Sequence, residues 1–248
     1  MPHPSYPNPT IVEAVSEIHF SLAPGLSWSP STPGALWREI ATEYPDVDPI
    51  VESGVEVRVK PDGSLDHVIT ERKRYRFTHT SKSKLVQLSE NVFSLNHLKP
   101  YPGWPTVKDE LIRVWRQFTK IVEPSGVTRI GLRYVNAIQR DGQDELASRW
   151  LQETPFLPRQ PLQSLPPFSS RVEARLEKTN RAIVSMGIGK KDVQFGYIVF
   201  DIDCIREENI DATAESISDA AEDLHEHAWA IFRAAKTDDL ERMLKQTP

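Results

Sequence analysis

Asp201 and Asp203 stand two residues apart in the run Tyr197-Ile198-Val199-Phe200-Asp201-Ile202-Asp203. On a strand that spacing sends both carboxylates to one face, the arrangement with which nucleotide-transferring palm domains hold a divalent metal. The same pair can equally serve as ion-pair partners for arginines. Arg129 and Arg133 are matched to that role, because they share one face of Arg129-Ile130-Gly131-Leu132-Arg133-Tyr134-Val135-Asn136, with Ile130, Leu132 and Tyr134 on the other. A sheet covered on both sides would bury these guanidinium groups, which then need carboxylate or carbonyl partners; Asp201, Asp203 and Glu173 are the expected ones. A phosphate-binding loop and a suitably placed third acid are missing around the aspartates. Ion pairing is therefore the expected role, and no metal or other cofactor is expected.

A second constellation is the run Arg72-Lys73-Arg74-Tyr75-Arg76-Phe77. Strand alternation would line up Arg72, Arg74 and Arg76 about 7 Å apart, a row suited to an acidic helix or a phosphate backbone. The bland alternative is neutralisation by the acidic stretch from Asp201 to Glu226, where ten carboxylates face only Arg206. Within that stretch Asp223 and His227, like Glu222 and Glu226, are four apart and could clamp a metal, but no second cluster completes a site. His225 borders an apolar helical seam and reads as a hydrogen-bonded histidine at the core edge. Gly187-Ile188-Gly189-Lys190-Lys191 departs from the phosphate-loop pattern and lies between two expected strands, so it reads as a hairpin turn. Gly-x-Ser-x-Gly is absent, and no spacing groups Ser, His and Asp into a triad. Tyr101-Pro102-Gly103-Trp104-Pro105 is either an exposed recognition tip or an aromatic cap on the core.

The elements that must position these groups follow from periodicity. Residues 1–10 are Pro-rich and read as an extended arm. Strands are expected at residues 11–22, 54–59, 72–80, 84–98 (broken by a turn at Ser89-Glu90-Asn91), 129–136, 170–177, 181–188 and 194–204. Lys82-Ser83 reads as a tight turn. Helices are expected at 34–44, stopped by Pro45, at 106–122 with Thr106 as cap, around 146–151, and at 216–236, which closes the chain. The apolar stripe of the second is Val107, Leu111, Val114, Trp115, Phe118 and Ile121; that of the last is Ile217, Ala221, Leu224, Ala228, Ile231 and Ala235. Five prolines between 141 and 169 make an irregular connection.

Hairpin-like pairings dominate and regular strand–helix alternation is missing. The expected fold is α+β: a largely antiparallel curved sheet with amphipathic helices packed on one face, readable as two loosely similar halves. The organisation is an arm (1–10), an N-terminal half (11–140), the Pro-rich connection (141–169) and a C-terminal sheet with a long helix (170–248), joined as one continuous domain.

Composition narrows the function classes. The chain has 248 residues, 39% hydrophobic and 26% charged, and a net charge of −5, which speaks against wholesale nucleic-acid binding. One cysteine excludes an internal disulfide framework and favours a reducing compartment. Neither a secretory leader nor an apolar run of membrane-spanning length stands out, so a cytoplasmic protein without a membrane is expected.

The opening Pro7-Asn8-Pro9-Thr10-Ile11-Val12-Glu13-Ala14-Val15, the Arg129–Asn136 strand and the closing Leu224-His225 with Phe232 and Thr237 resemble a sporadically distributed, uncharacterised prokaryotic family of similar length. The resemblance implies a soluble prokaryotic protein. Patchy distribution implies an accessory role, such as defence or toxin neutralisation, and there are no catalytic residues to carry over.

Two function classes follow. One is a non-enzymatic interaction protein, of antitoxin, immunity or defence type, with a protein partner and room for homodimerisation. The other is a small-ligand or nucleotide binder, or an enzyme, using a polar cup formed by the curved sheet. The candidate residues for either are Arg129, Arg133, Asp201, Asp203, Arg72, Arg74 and Arg76.

Overall fold

The computed structural model describes residues 3–59, 65–142, 145–152, 168–177, 179–189 and 196–247, with backbone alone over 52–59 and 65–72 and at 168 and 189. In chain order the strands are β1 (Ile11–Ser21), β2 (Asp46–Val59), β3 (Leu65–Thr78), β4 (Lys84–Leu88), β5 (Val92–Leu98), β6 (Gly126–Gln139), β7 (Phe168–Arg175), β8 (Asn180–Gly189) and β9 (Tyr197–Arg206). The helices are α1 (Thr32–Ile40), α2 (Trp104–Val122), α3 (Ala214–Ala235) and α4 (Asp238–Lys245), with a 3₁₀ turn at Ala147–Arg149.

All nine strands form one curved, open sheet in the order β2-β3-β4-β5-β1-β6-β9-β8-β7, with every pairing antiparallel. The fold is α+β, as expected. The two halves share a plan. Each places its first strand at the centre (β1 or β6), and its last strand (β5 or β9) returns to pair with that first one. A long helix, α2 or α3, then follows. The halves are zipped together by β1 and β6, paired from Ile11 opposite Asn136 to Ser21 opposite Gly126, with register shifts between Ile11 and Glu13 and between His19 and Phe20.

Alternation decides which face is buried. Ala14, Ser16, Ile18 and Phe20 of β1 are buried, while Glu13, Glu17 and His19 between them are partly exposed. The buried face continues through Phe93, Leu95, Leu132, Tyr134, Ile202, Cys204, Val184 and Met186. Val107, Leu111, Val114, Trp115 and Phe118 of α2 and Ile217, Ala221, Leu224 and Ala228 of α3 complete the core. Phe93, Trp115 and Phe118 pack with ring centroids 5.1–5.5 Å apart. Truncating one such ring to alanine would cost about 3–5 kcal/mol.

Several boundaries differ from expectation for physical reasons. β2 starts at Asp46, eight residues before 54, and runs through Pro49. Proline is tolerated there because β2 is an edge strand and need not donate on its outer side. β3 begins at Leu65 rather than 72, yet β4 pairs only with Tyr75–Thr78, so most of β2 and β3 forms a two-stranded ribbon. α1 is shorter than 34–44, and α2 starts at Trp104 rather than being capped by Thr106. Gly103 takes the N-cap at φ 93°, a left-handed backbone that glycine adopts freely, and proline in the first turn suits the helix start. α3 starts at Ala214, where the Thr213 hydroxyl accepts from the Ser216 amide at 3.2 Å. It does not close the chain. Thr237 caps a further helix, α4, seated by the buried Leu240 and Leu244.

The expected turns at Lys82 (φ 57°) and between β4 and β5 are present. The Pro-rich segment 153–167 and the Lys190-Lys191 turn lie outside the described residues. Among those described, no helix is long and apolar enough to cross a membrane.

Candidate functional site

Arg129, Arg133, Asp201 and Asp203 project from the sheet face opposite the helices. Arg133 grips Asp201 with two parallel hydrogen bonds, Nε to Oδ1 at 2.8 Å and Nη2 to Oδ2 at 2.6 Å, across the β6–β9 pairing. Arg129 turns the other way, donating to Glu17 of β1 at 2.5 Å, with the His19 ring nitrogen 2.6 Å away. The expectation that Asp201, Asp203 or Glu173 would serve it is thus corrected. The β6–β9 register ends at Ile130 opposite Arg206, which leaves Arg129 beyond the last pair and beside β1. Glu173 instead binds Arg181 at 2.8 Å.

Asp203 shows what this commitment does. Burial pushes its carboxyl up to about 6, against the pull of Arg129 and Arg133, whose charges are already spent on Glu17 and Asp201. Glu17 shows the opposite balance: burial would raise it, but hydrogen bonds from His19 and Arg129 hold it at about 2. A hollow of about 500 Å³ on this face is lined by Ser169, Ser170, Arg171, Ser185 and Asp201, but by none of Arg129, Arg133 or Asp203. The four expected residues do not line one cup: Arg133 pairs with Asp201, Arg129 with Glu17, and Asp203 stands beside these pairs.

The arginine row splits. Arg74 reaches Glu17 at 3.7 Å and is 13% exposed, while Arg76 sits at the surface 3.4 Å from Asp48. The side chain of Arg72 lies outside the described residues. Neither Arg74 nor Arg76 is paired with the acidic stretch from Asp201 to Glu226, because four strands separate β3 from β9. That stretch finds other partners: Asp223 binds Arg206 and the Asn180 amide, and Glu222 binds Lys108 at 2.7 Å. Among the described residues no three His, Cys, Asp or Glu side chains gather to hold a metal. Cys204 is buried, and burial pushes its thiol up to about 12.

A larger concavity lies on the helix side of the sheet and holds none of the seven candidate residues, Arg72, Arg74, Arg76, Arg129, Arg133, Asp201 and Asp203. It is a cleft of about 770 Å³ between the N-terminal arm, the start of α2 and the outer face of α3. His3 and Tyr6 come from the arm, Tyr101 and Trp104 from the turn into α2, Tyr134 and Asn136 from the sheet floor, and Glu222, His225, Glu226, Trp229 and Phe232 from α3.

Each wall has a local cause. The arm is pinned by the Asn8 amide donating to the Leu244 carbonyl at 3.1 Å, by the Tyr6 hydroxyl donating to Glu241 at 2.7 Å, and by His3 lying 2.7 Å from Glu226. Gly103 and Pro105 fix the turn that presents Trp104, whose indole N–H donates to Glu222 at 3.0 Å. Trp104 stacks on His225 with centroids 4.4 Å apart and planes 14° from parallel. The Tyr134 hydroxyl lies 2.8 Å from His225 Nδ1. Burial, reinforced by His3, lowers His225 to about 4, so its imidazole is neutral at ordinary pH. Burial pushes the Tyr101 phenol up to about 12, its hydrogen bond with Tyr134 pulling it partly back. The cleft therefore carries aromatic faces, neutral hydroxyls, the neutral imidazole of His225, and two carboxylates at its rim.

His225 is the hydrogen-bonded core-edge histidine expected, and the Tyr101–Pro105 loop lines the cleft instead of choosing between tip and cap. The sequence places Trp229 beside the seam of the closing helix and Tyr6 in the arm, but gives no sign that the two meet, since more than 200 residues separate them. No protein-family model matches the sequence, and no curated protein matches it. The site is therefore characterised by its own geometry.

Proposed function

We propose that the protein works by binding, holding a small organic ligand in the cleft between its N-terminal arm, α2 and α3. The observation that carries this is the cleft itself: about 770 Å³, ring-lined, with a few converging polar groups. Ligand sites are typically about 300–1,000 Å³ and share that mixture of apolar wall and sparse polar anchors. This is the ligand-binding class expected from sequence, moved from the polar sheet face to the helix face. The test is a ligand-observed NMR screen of a fragment library against the wild type and Trp229→Ala. Hits on the wild type that vanish in the variant support the proposal; a library with no hit, or hits indifferent to Trp229, refutes it.

A second reading keeps the accessory interaction module of antitoxin, immunity or defence type. It is favoured by the long edge strand β2, where Val47 and Val51 are 37% and 55% exposed. An edge of this kind can accept a strand from a partner protein. A partner recovered with the wild type but lost with the Val47→Lys/Val51→Lys variant would support it, and one indifferent to those changes would count against it.

A further inference from the structure

We propose that the ligand of this cleft is an organic cation, an alkylated or quaternary ammonium group received by aromatic faces and a carboxylate. The inference rests on the binding site proposed above and adds the chemistry of its occupant.

Charge complementarity carries it. Among the residues lining the cleft no lysine or arginine occurs, and the carboxylates there are Glu222 and Glu226, one turn apart on α3. An anionic ligand would meet no lysine or arginine in that lining, and Lys108 just beyond it is taken up by Glu222. Glu222 is engaged by Lys108 and by the Trp104 indole, so its charge is largely met. Among the described residues Glu226 pairs only with the His3 imidazole, at 2.7 Å, and it keeps a side chain 55% exposed at the rim. The rings are grouped next to it. Trp229 lies 4.9 Å from His3 and 6.2 Å from Tyr6, centroid to centroid, so the partly exposed indole is flanked by rings, and His3 in turn meets the Glu226 carboxylate. Ring faces present the negative part of their quadrupole, which attracts a weakly hydrated ammonium, and tryptophan does so most strongly. Trp229 packs against His3, and Tyr6 is held by its hydrogen bond to Glu241, so these rings are positioned before the ligand arrives.

The test compares choline with 3,3-dimethylbutan-1-ol, which has the same shape with carbon in place of the charged nitrogen, by titration calorimetry on the whole protein. Choline should bind at least about tenfold more tightly than its neutral counterpart. Glu226→Gln, a change at an exposed side chain, should weaken choline several-fold and leave the neutral compound unaffected; Trp229→Ala should weaken both. Equal affinities, or a choline affinity untouched by Glu226→Gln, overturn the cation assignment while leaving the binding site standing. If fragments from the screen bind and choline does not, the assignment likewise fails alone. If neither choline nor any fragment binds, the site fails with it.

Discussion

The Tyr134 hydroxyl and the Nδ1 of His225, 2.8 Å apart, tie a central strand of the sheet to helix α3 at the floor of the cleft. Both residues are buried, at 5% and 8% exposure, and both border the cleft. The same hydroxyl also bonds Tyr101, so it joins three side chains. Tyr134→Phe keeps the ring and removes the hydroxyl from both neighbours. Leaving a buried polar group unmatched costs about 1–3 kcal/mol, and denaturant unfolding should show a loss of that size. Unchanged stability would mean that the pair contributes nothing to joining sheet and helix.

Two buried histidines give the protein a defined response to acid. Burial lowers both His225 and His97 from the ordinary 6.5 to about 4. Between those values the unfolded chain binds more protons than the folded one, so both histidines remove stability as pH falls from about 6.5 to about 4. Asp203, raised from 3.8 to about 6, acts in the opposite direction over much of the same window, one group against two. The melting temperature should therefore fall between pH 7 and pH 4.5. His97 is 1% exposed, and neither ring nitrogen has a hydrogen-bond partner among the described residues. His97→Leu should raise stability, by on the order of 1 kcal/mol, and flatten the acid slope. A steeper slope in that variant would contradict the assignment.

Asp203 offers the converse experiment. Its folded-state value lies above its unfolded one, so the cost of ionising it in the fold is absent below about pH 4 and complete above about pH 6. Asp203→Asn should stabilise the protein at pH 8, by at most about 3 kcal/mol, and change little at pH 4. Destabilisation at pH 8 would show that Arg129 and Arg133 depend on this carboxylate after all.

The two described arginines of the β3 row should respond differently to charge reversal. Arg76→Glu alters an exposed pair with Asp48, of a kind typically contributing about 0–1 kcal/mol. Arg74→Glu would bring a carboxylate to within reach of Glu17 at a position 13% exposed, with like charges in a partly desolvated network. Thermal melts should show a clear loss for Arg74→Glu and almost none for Arg76→Glu. Equal effects would mean that the row behaves as one solvated face.

The fold was legible where one period dominates. β1 alternates cleanly, and the stripes of α2 and α3 match buried side chains as far as Phe118 and Ala228, beyond which Ile121, Ile231 and Ala235 are only partly buried. Pro49 obscured β2 because edge position is a property of the sheet, and local sequence cannot reveal it. α4 is a single short amphipathic stretch, yet Thr237 followed by Asp238, Asp239 and Leu240 is a cap signal that could have marked its start. Arg133 with Asp201 followed from facing strands, whereas Arg129 with Glu17 required the register of β1. The cleft was the least legible part. Its walls come from the arm, the turn into α2, the centre of β6 and the exposed side of α3, so only the folded chain brings Tyr6 to Trp229.

The central claim is that this aromatic cleft is where the protein binds, and six tryptophans allow the place to be read directly. Trp104 and Trp229 line it, whereas Trp28, Trp37, Trp115 and Trp150 do not. The measurement is the set of indole N–H signals in a ¹⁵N–¹H spectrum during titration with the tightest compound from the fragment screen. The account predicts saturable shifts at Trp104 and Trp229 with the other four unmoved. Shifts at Trp28 or Trp37 with Trp104 and Trp229 unmoved would place the site elsewhere and contradict it.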